Sequence, residues 1–431
     1  MISAFTNTFK VPELRSRVIF TLLMLIVVRL GAAIPVPGVD ASVLQEWFAN
    51  EATRSTGGGI AALFNVFSGG ALENCALFSL GVMPYISASI MFQLLTAVIP
   101  QLSKLQKEDG GRQKIMQYTR YATIGLCVFQ GYLLVLSLVN PGSNPFLNGM
   151  PETIARLGRP LVVDSGFWFY ITAIVSFTAG TMFLMWIGDQ ITDRGIGNGV
   201  SLIITVGIAA DLPAALIQGW KKFNPEGGQG SFIPVILIAF FLLVIAGVIA
   251  VTQGQRKISV QYAKRVVGRK VYGGQTQYMP LKVNYAGVMP IIFAQALLLF
   301  PSQILTMAFK NNDMAIRIAN ALNAGFFHYL IYGLMIFFFS YFWVFTQFQP
   351  QQIADDLKKY GGYIPGVRPG KPTADFLEFT MTRLTFAGAV FLTVIAILPQ
   401  MLNRSMDVPD RTALFFGGTS LLIMVGVVLD T

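Results

Sequence analysis

The densest group of side chains able to do chemistry lies in residues 252–282. There Arg256, Lys257, Lys264, Arg265, Arg269, Lys270 and Lys282 are interleaved with Tyr262, Tyr272 and Tyr278. A second basic stretch, 349–383, carries Lys358, Lys359, Arg368 and Lys371, with Gly and Pro around Arg368. Cations spaced among aromatics can dock on RNA phosphates or on an acidic protein surface. Bond-making chemistry has no comparable signature. The chain has no G-x-x-x-x-G-K-[ST], no H-E-x-x-H, no G-x-S-x-G and no Cys/His set at metal-ligand spacing. RGIGNG, Arg194–Gly199, is glycine-rich like a nucleotide loop but lacks the G-x-G-x-x-G spacing, so it reads as a tight turn. His328, the sole histidine, opens an apolar segment and reads as an interfacial residue. Cys75 and Cys127 lie in or beside apolar segments and read as packed thiols, without a disulfide framework. These residues argue against an enzyme.

The elements that must carry the basic loops are set by composition. Hydrophobic residues make up 54% and charged residues 12%, with a mean hydropathy of +0.60. Soluble domains carry about 25% charged residues, so the chain reads as an all-α, polytopic membrane protein. Ten spans are expected: Val18–Ile34, Cys75–Ile99, Tyr121–Val139, Phe167–Ile187, Gly197–Gln218, Phe232–Val251, Val283–Met307, Phe326–Phe348, Leu384–Leu398 and Thr412–Leu429. The N-terminus is polar as far as Arg17 and the run after it is long enough to span, which does not fit a cleavable signal peptide. With a cytoplasmic N-terminus, that side holds 21 of the 31 Lys and Arg, so both termini are expected in the cytoplasm. Topology explains the sign of the loop charges. It does not explain two loops of roughly 30 residues, where connections commonly run about 4–6.

The tetrapeptide GVMP occurs twice, at Gly81–Pro84 in the second span and at Gly287–Pro290 in the seventh. A repeat offset by five spans inverts the second half against the first, with the pseudo-two-fold axis in the membrane plane. The expected division is residues 1–218, an external polar hinge at 219–231, and residues 232–431. Inside the spans ionisable groups are scarce, with Arg29 near an outer end and Asp211 late in the fifth span. What remains is weakly polar: Ser87, Ser89, Gln93, Gln130 and Gln295. Such residues serve ordinary helix packing, or line a conduit with an aliphatic barrier. A further short apolar helix is fenced by glycines over Gly59–Gly70. It is too short for a crossing, which takes about 20 residues, and too greasy for water.

Several longer motifs are specific. RLGAAIPVPGVD (Arg29–Asp40), NVFSGGAL (Asn65–Leu72), LGVMPYISASIMFQLL (Leu80–Leu95), GDQITDRGIGNGVSLII (Gly188–Ile204), YAKRVVGRKVYGG (Tyr262–Gly274) and KYGGYIPGVRPGKPT (Lys359–Thr373) occur in this order. Together they resemble the SecY family, the channel-forming subunits of the bacterial Sec protein translocon, over essentially the whole chain. The resemblance implies ten transmembrane helices in two inverted, pseudo-symmetric five-helix halves around a central pore. It implies a plug at Gly59–Gly70, with Ile60, Leu63, Phe64, Asn65, Phe67, Gly69 and Gly70, and a pore ring of Val82, Ile86, Ile204, Ile292 and Ile423. A lateral gate toward lipid would run between spans 2 and 3 and spans 7 and 8, at Ser87, Gln93, Gln130 and Phe300. Arg256, Lys257, Arg269, Lys270, Lys358, Lys359 and Arg368 would dock the ribosome, through its rRNA, and the SecA motor ATPase.

The implied partners are the SecE and SecG subunits, signal peptides, preproteins and membrane lipids, in the bacterial cytoplasmic (inner) membrane. No cofactor is implied. Two features depart from many relatives. After the sixth span the chain reads Val251-Thr252-Gln253-Gly254-Gln255-Arg256, where relatives carry a charged pair before the glycine. The chain also stops at Thr431, directly after the tenth span, where relatives usually continue into a cytoplasmic tail. The alternative function is a small-solute secondary transporter with inverted repeats, which calls for a coupling group or a tailored polar pocket between the halves.

Overall fold

The computed structural model describes residues 11–49, 59–108, 110–141, 147, 150–163, 165–223, 233–262, 265–267, 270–272, 276–308, 314, 317–318, 321–322, 325–406 and 418–430. The first half contains α1 (Pro12–Gly31), α2 (Ala41–Ala49), α3 (Gly59–Ser68), α4 (Met83–Val98), α5 (Pro100–Lys107), α6 (Gly111–Val139), α7 (Met150–Leu157), α8 (Phe167–Arg194) and α9 (Gly199–Phe223). The second half contains α10 (Ile233–Gln253), β1 (Gln255–Tyr262), β2 (Arg265–Val267), β3 (Lys270–Tyr272) and β4 (Thr276–Lys282), then α11 (Met289–Ala308) and α12 (Phe326–Gln347). It closes with α13 (Pro350–Lys359), β5 (Gly362–Tyr363), α14 (Lys371–Met406) and α15 (Gly418–Asp430).

The molecule is predominantly helical, and a helix overlaps each of the ten expected spans. Four stretches, Gly111–Val139, Phe167–Arg194, Phe326–Lys359 and Lys371–Leu398, are long and apolar enough to cross a membrane by length and composition. The bent pair Met83–Thr96 and Pro100–Gln106, at 105° to each other, makes a fifth. The break falls at Ile99, because Pro100 lacks an N–H and disfavours helical backbone in the residue before it. A membrane interior offers no water to polar groups, so these must bond within the protein. Hydroxyls on the helices accordingly donate to carbonyls one turn back: Thr119 to Ile115, Thr123 to Thr119, Ser340 to Ile336 and Thr385 to Met381, at 2.7–2.9 Å.

Three expectations are corrected. The second span does not begin at Cys75. Residues 69–82 are turns, with Gly69, Gly70, Cys75 and Gly81 at positive φ, and the helix starts at Met83. The hinge does not begin at residue 219, since α9 continues to Phe223; the rest of that hinge lies outside the described residues. The two basic stretches are not plain loops. β1 pairs antiparallel with β4 from Gln255↔Lys282 to Gln261↔Thr276, and its far end pairs with β5 through Gln261↔Tyr363 and Tyr262↔Gly362. Two stretches about a hundred residues apart therefore form one three-stranded sheet, ordered β4-β1-β5.

Candidate functional site

The core divides into three apolar clusters. One lies within the first half, where Trp47, Leu44, Leu72, Leu138 and Phe177 pack together. A second lies mainly in the second half, around Ile291, Phe293, Ile336, Leu377 and Leu392, and extends to Ile258, Val260 and Ile364 at the sheet. Ile90 and Leu94 of α4 reach across to it. The third draws on both halves and is the candidate site.

Val82, Ile204 and Ile423 are buried in this third cluster at 2%, 6% and 3% exposure, and half-buried Ile86 and Ile292 pack against it. All five residues expected at the pore ring thus meet in one aliphatic assembly. They come from the N-cap and first turn of α4, from α9, from α11 and from α15. Val288 and Phe241 join them from the second half. Val288 is not among the residues that the resemblance implies, although its place in the second GVMP matches that of Val82 in the first.

The short helix α3 lies beside this cluster and packs on α9. Phe67 is buried in the aliphatic cluster itself, while Ala61 and Phe64 face the first-half core. Hydrogen bonds fix the turn after it. Asn65 is buried, accepts at Oδ1 from the Glu73 amide (3.0 Å), and donates through Nδ2 to Glu73 Oε2 (3.2 Å). The Gly70 amide bonds to the Asn65 carbonyl at 2.9 Å, and Gly69 and Gly70 sit at φ +66° and +83°. Left-handed glycines are the common way to end a helix, which accounts for the SGG run. The side chains of Ile60 and Leu63 lie outside the described residues.

The guanidinium of Arg29, half-buried on α1, reaches the same turn. It donates through Nη1 to the Gly69 carbonyl (2.7 Å) and through Nη2 to the carbonyls of Val206 (2.6 Å) and Gly207 (3.3 Å). In the sequence Arg29 is a charge near a span end, and nothing local points to these acceptors.

Ser87 and Gln93 are half-buried on α4 and Gln130 on α6; Phe300 falls on α11 with its side chain outside the description. Gln93 Nε2 lies 3.4 Å from Ser89 Oγ. The buried Oε1 atoms of Gln93, Gln130 and Gln295 have no hydrogen-bond partner among the described residues. Among the basic residues, Arg256 and Lys257 are exposed on β1, while alternate residues Ile258 and Val260 turn inward. Lys358 and Lys359 lie at the end of α13, with Lys359 exposed, and Arg368 lies in the turn before α14. Lys270 begins β3, its side chain outside the description, and Arg269 lies outside the described residues. RGIGNG is a turn between α8 and α9, with Gly197 at φ +65° and Asn198 Oδ1 accepting the Ser201 amide at 3.1 Å.

The family model described as SecY matches residues 76–431. The protein translocase subunit SecY of Streptomyces scabiei is 43% identical over 434 residues, covering 100% of this chain and 96% of that protein. A SecY protein whose plug domain is described as stabilising the closed state of the translocation channel superposes with a TM-score of 0.62. It is 17% identical, with 98% of this chain and 94% of that chain covered. Sec61 in a canine ribosome-channel complex from the endoplasmic reticulum superposes at 0.58, is 16% identical, and covers 98% and 94%. An apolar helical frame, an aliphatic cluster joining its two halves and full-length identity at this level lead to one conclusion: the chain belongs to the SecY family.

Proposed function

We propose that the aliphatic cluster of Val82, Ile86, Ile204, Ile292 and Ile423 is the barrier of a protein-conducting channel, with Gly59–Ser68 as its plug. The chain is a multi-pass membrane protein and a protein-conducting translocase channel subunit. It passes unfolded secretory polypeptides and releases hydrophobic segments sideways into lipid. This family membership does not favour a solute transporter.

The observation that carries the barrier is the meeting of those five residues, from four separate helices, in one cluster with Phe67 of the short helix. An extended polypeptide in hydrocarbon leaves backbone groups unpaired, at several kcal/mol each, so its path must be wet. A narrow aliphatic constriction excludes water by dewetting and yields to a passing chain without binding it. A segment carrying charge stays in the channel, since inserting a charge costs about 2.5–3.5 kcal/mol on the translocon scale.

The remaining roles extend this reading. The first and second halves are two inverted five-helix halves joined outside by the segment between Phe223 and Ile233. The two GVMP motifs support this, since both place a left-handed glycine two residues before a helix that starts at methionine. The seam runs past Ser87, Gln93, Gln130 and Phe300; the Gln93 and Gln130 oxygens, unpartnered among the described residues, support a polar lining there. The exposed cations of the sheet and its neighbouring turns dock the ribosome and the SecA motor. SecE and SecG are companion subunits, the membrane is the bacterial cytoplasmic one, and both termini face the cytoplasm.

Reconstitution with SecE, SecG, SecA and a labelled preprotein tests the function: ATP-dependent transport is expected, and its absence overturns the reading. Replacing Ile86 and Ile292 together by Gly should raise ion leakage in planar bilayers. Unchanged conductance would reject the barrier assignment.

A further inference from the structure

Arg29 joins three elements through carbonyl oxygens. Its fork spans the gap between the end of the short helix, at Gly69, and the wall helix α9, at Val206 and Gly207. A charged side chain within a membrane protein is expensive and is retained where it works. The neighbouring residues sharpen that expense, because Val28 on α1 and Ala32 just after its end are buried in the aliphatic cluster. The position is also electrostatically suited, since the C-terminal carbonyls of a helix attract a cation.

A second observation places this junction at backbone range. A Cβ added to Gly69 would stand 2.8 Å from Gly207 Cα and 3.2 Å from Arg29 Nη1. Gly69 and Gly207 therefore touch backbone to backbone beneath the guanidinium, and no larger residue fits between them. Movement of the short helix must break the bond to Gly69. The two bonds to α9 can survive that movement, because both acceptors lie on α9.

We propose that Arg29 is the latch of the plug. It is a positioning residue whose guanidinium pins the C-terminal end of Gly59–Ser68 to α9, and its release of Gly69 is a step in opening. This rests on reading Gly59–Ser68 as the plug. Arginine suits the task because its planar fork serves two elements at once, where lysine offers a point charge.

The test is resting ion conductance of the reconstituted channel, with its companion subunits, in planar bilayers. Five forms are compared: the natural chain, Arg29→Gln, Arg29→Lys, a chain lacking residues 59–68, and that deletion carrying Arg29→Gln. Arg29→Gln should raise resting conductance about tenfold, equivalent to ~1.4 kcal/mol in the closed–open equilibrium, and Arg29→Lys should fall between. The deletion should leak by itself, and Arg29→Gln should add nothing to it. A deletion that does not leak overturns the plug reading. A deletion that leaks while Arg29→Gln stays at the natural level overturns the latch alone. So does Arg29→Gln increasing the leak of the deletion, which would place its effect elsewhere in the fold. Should Arg29→Gln fail to assemble, Gly69→Ala opens the same junction from the other side. It should leak comparably, and a natural resting conductance would reject the latch.

Discussion

The two GVMP motifs adopt one backbone and bear different loads. Gly81 and Gly287 sit at φ +56° and +63°, and the helices after them start at Met83 and Met289. Val82 and Val288, and then Ile86 and Ile292, reach the same aliphatic cluster from matched offsets. The surroundings of the glycines differ. A Cβ on Gly81 would lie 3.1 Å from Ser68 Cα and 3.3 Å from the Phe67 carbonyl oxygen, whereas one on Gly287 would meet nothing within 4 Å. The first copy is a shelf for the short helix, and the second is open. The second half bears its own specialisation, the basic sheet. The lesson is that a repeated local structure can supply two sides of one aliphatic cluster while each half adds a different device.

The largest effect expected from this contrast is at the glycines. Gly81→Ala and Gly287→Ala each force an L-residue into left-handed backbone, at about 1–2 kcal/mol. Gly81→Ala also pushes on the end of the short helix, so it alone should raise resting conductance severalfold. Equal leakage from the two variants, measured in planar bilayers, would break the contrast.

Next come Ile86→Gly and Ile292→Gly as single variants. Each opens the cluster from one side, so each should leak, by similar amounts and less than the double variant. Leakage from only one would show that the matched offsets do not carry matched work.

A smaller effect is expected where the second half specialises. Arg256→Glu with Lys257→Glu reverses two exposed charges and leaves Ile258 and Val260 packed. Ribosome binding should weaken, and the slope of log affinity on log salt should shrink by about one for each phosphate no longer engaged. Thermal stability should stay within about 0.5 kcal/mol. Binding unchanged across a salt titration would remove the docking role from this strand.

The smallest effect tests the scaffold behind the first copy. Asp40 caps α2, accepting at Oδ1 from the Ser42 amide (3.0 Å) and hydroxyl (2.6 Å). The Ser42 hydroxyl bond is the main cause holding its carboxyl below the ordinary value, helped by the Ser42 amide and Arg159. Because the folded pKa is the lower one, the cap's contribution is complete above the ordinary aspartate pKa and fades as pH falls through the lowered one. Asp40→Ala should cost about 0.5–2 kcal/mol at neutral pH, and the gap to the natural chain should narrow in acid. A pH-independent difference in chemical unfolding would reject the cap.

Much of this was legible in the sequence because membrane insertion writes long apolar runs, and glycine and proline punctuate them. The short helix was legible as an apolar stretch fenced by Gly59 and Gly69-Gly70, and α3 occupies it. The start of α4 was not, because residues 71–82 are themselves largely apolar; composition cannot separate a buried turn from a span. Pro84 and Gly81 carry the correcting signal. The sheet is hidden by charge, which makes β1 look like a solvated loop, although Ile258 and Val260 alternate as a strand should. Its pairing with β5 has no local signature at all. The same holds for Arg29, whose acceptors are backbone oxygens 40 and 177 residues away.

The union of β1 with both β4 and β5 has a mechanical consequence. The strands are rooted in α10 and α11 on one side, and β5 lies between α12–α13 and α14 on the other. Ladder bonds resist sliding, so a push delivered to either segment cannot be absorbed by that segment alone. It reaches four long helices as a common torque, making the sheet a stiff handle through which any load placed on it is shared across the second half.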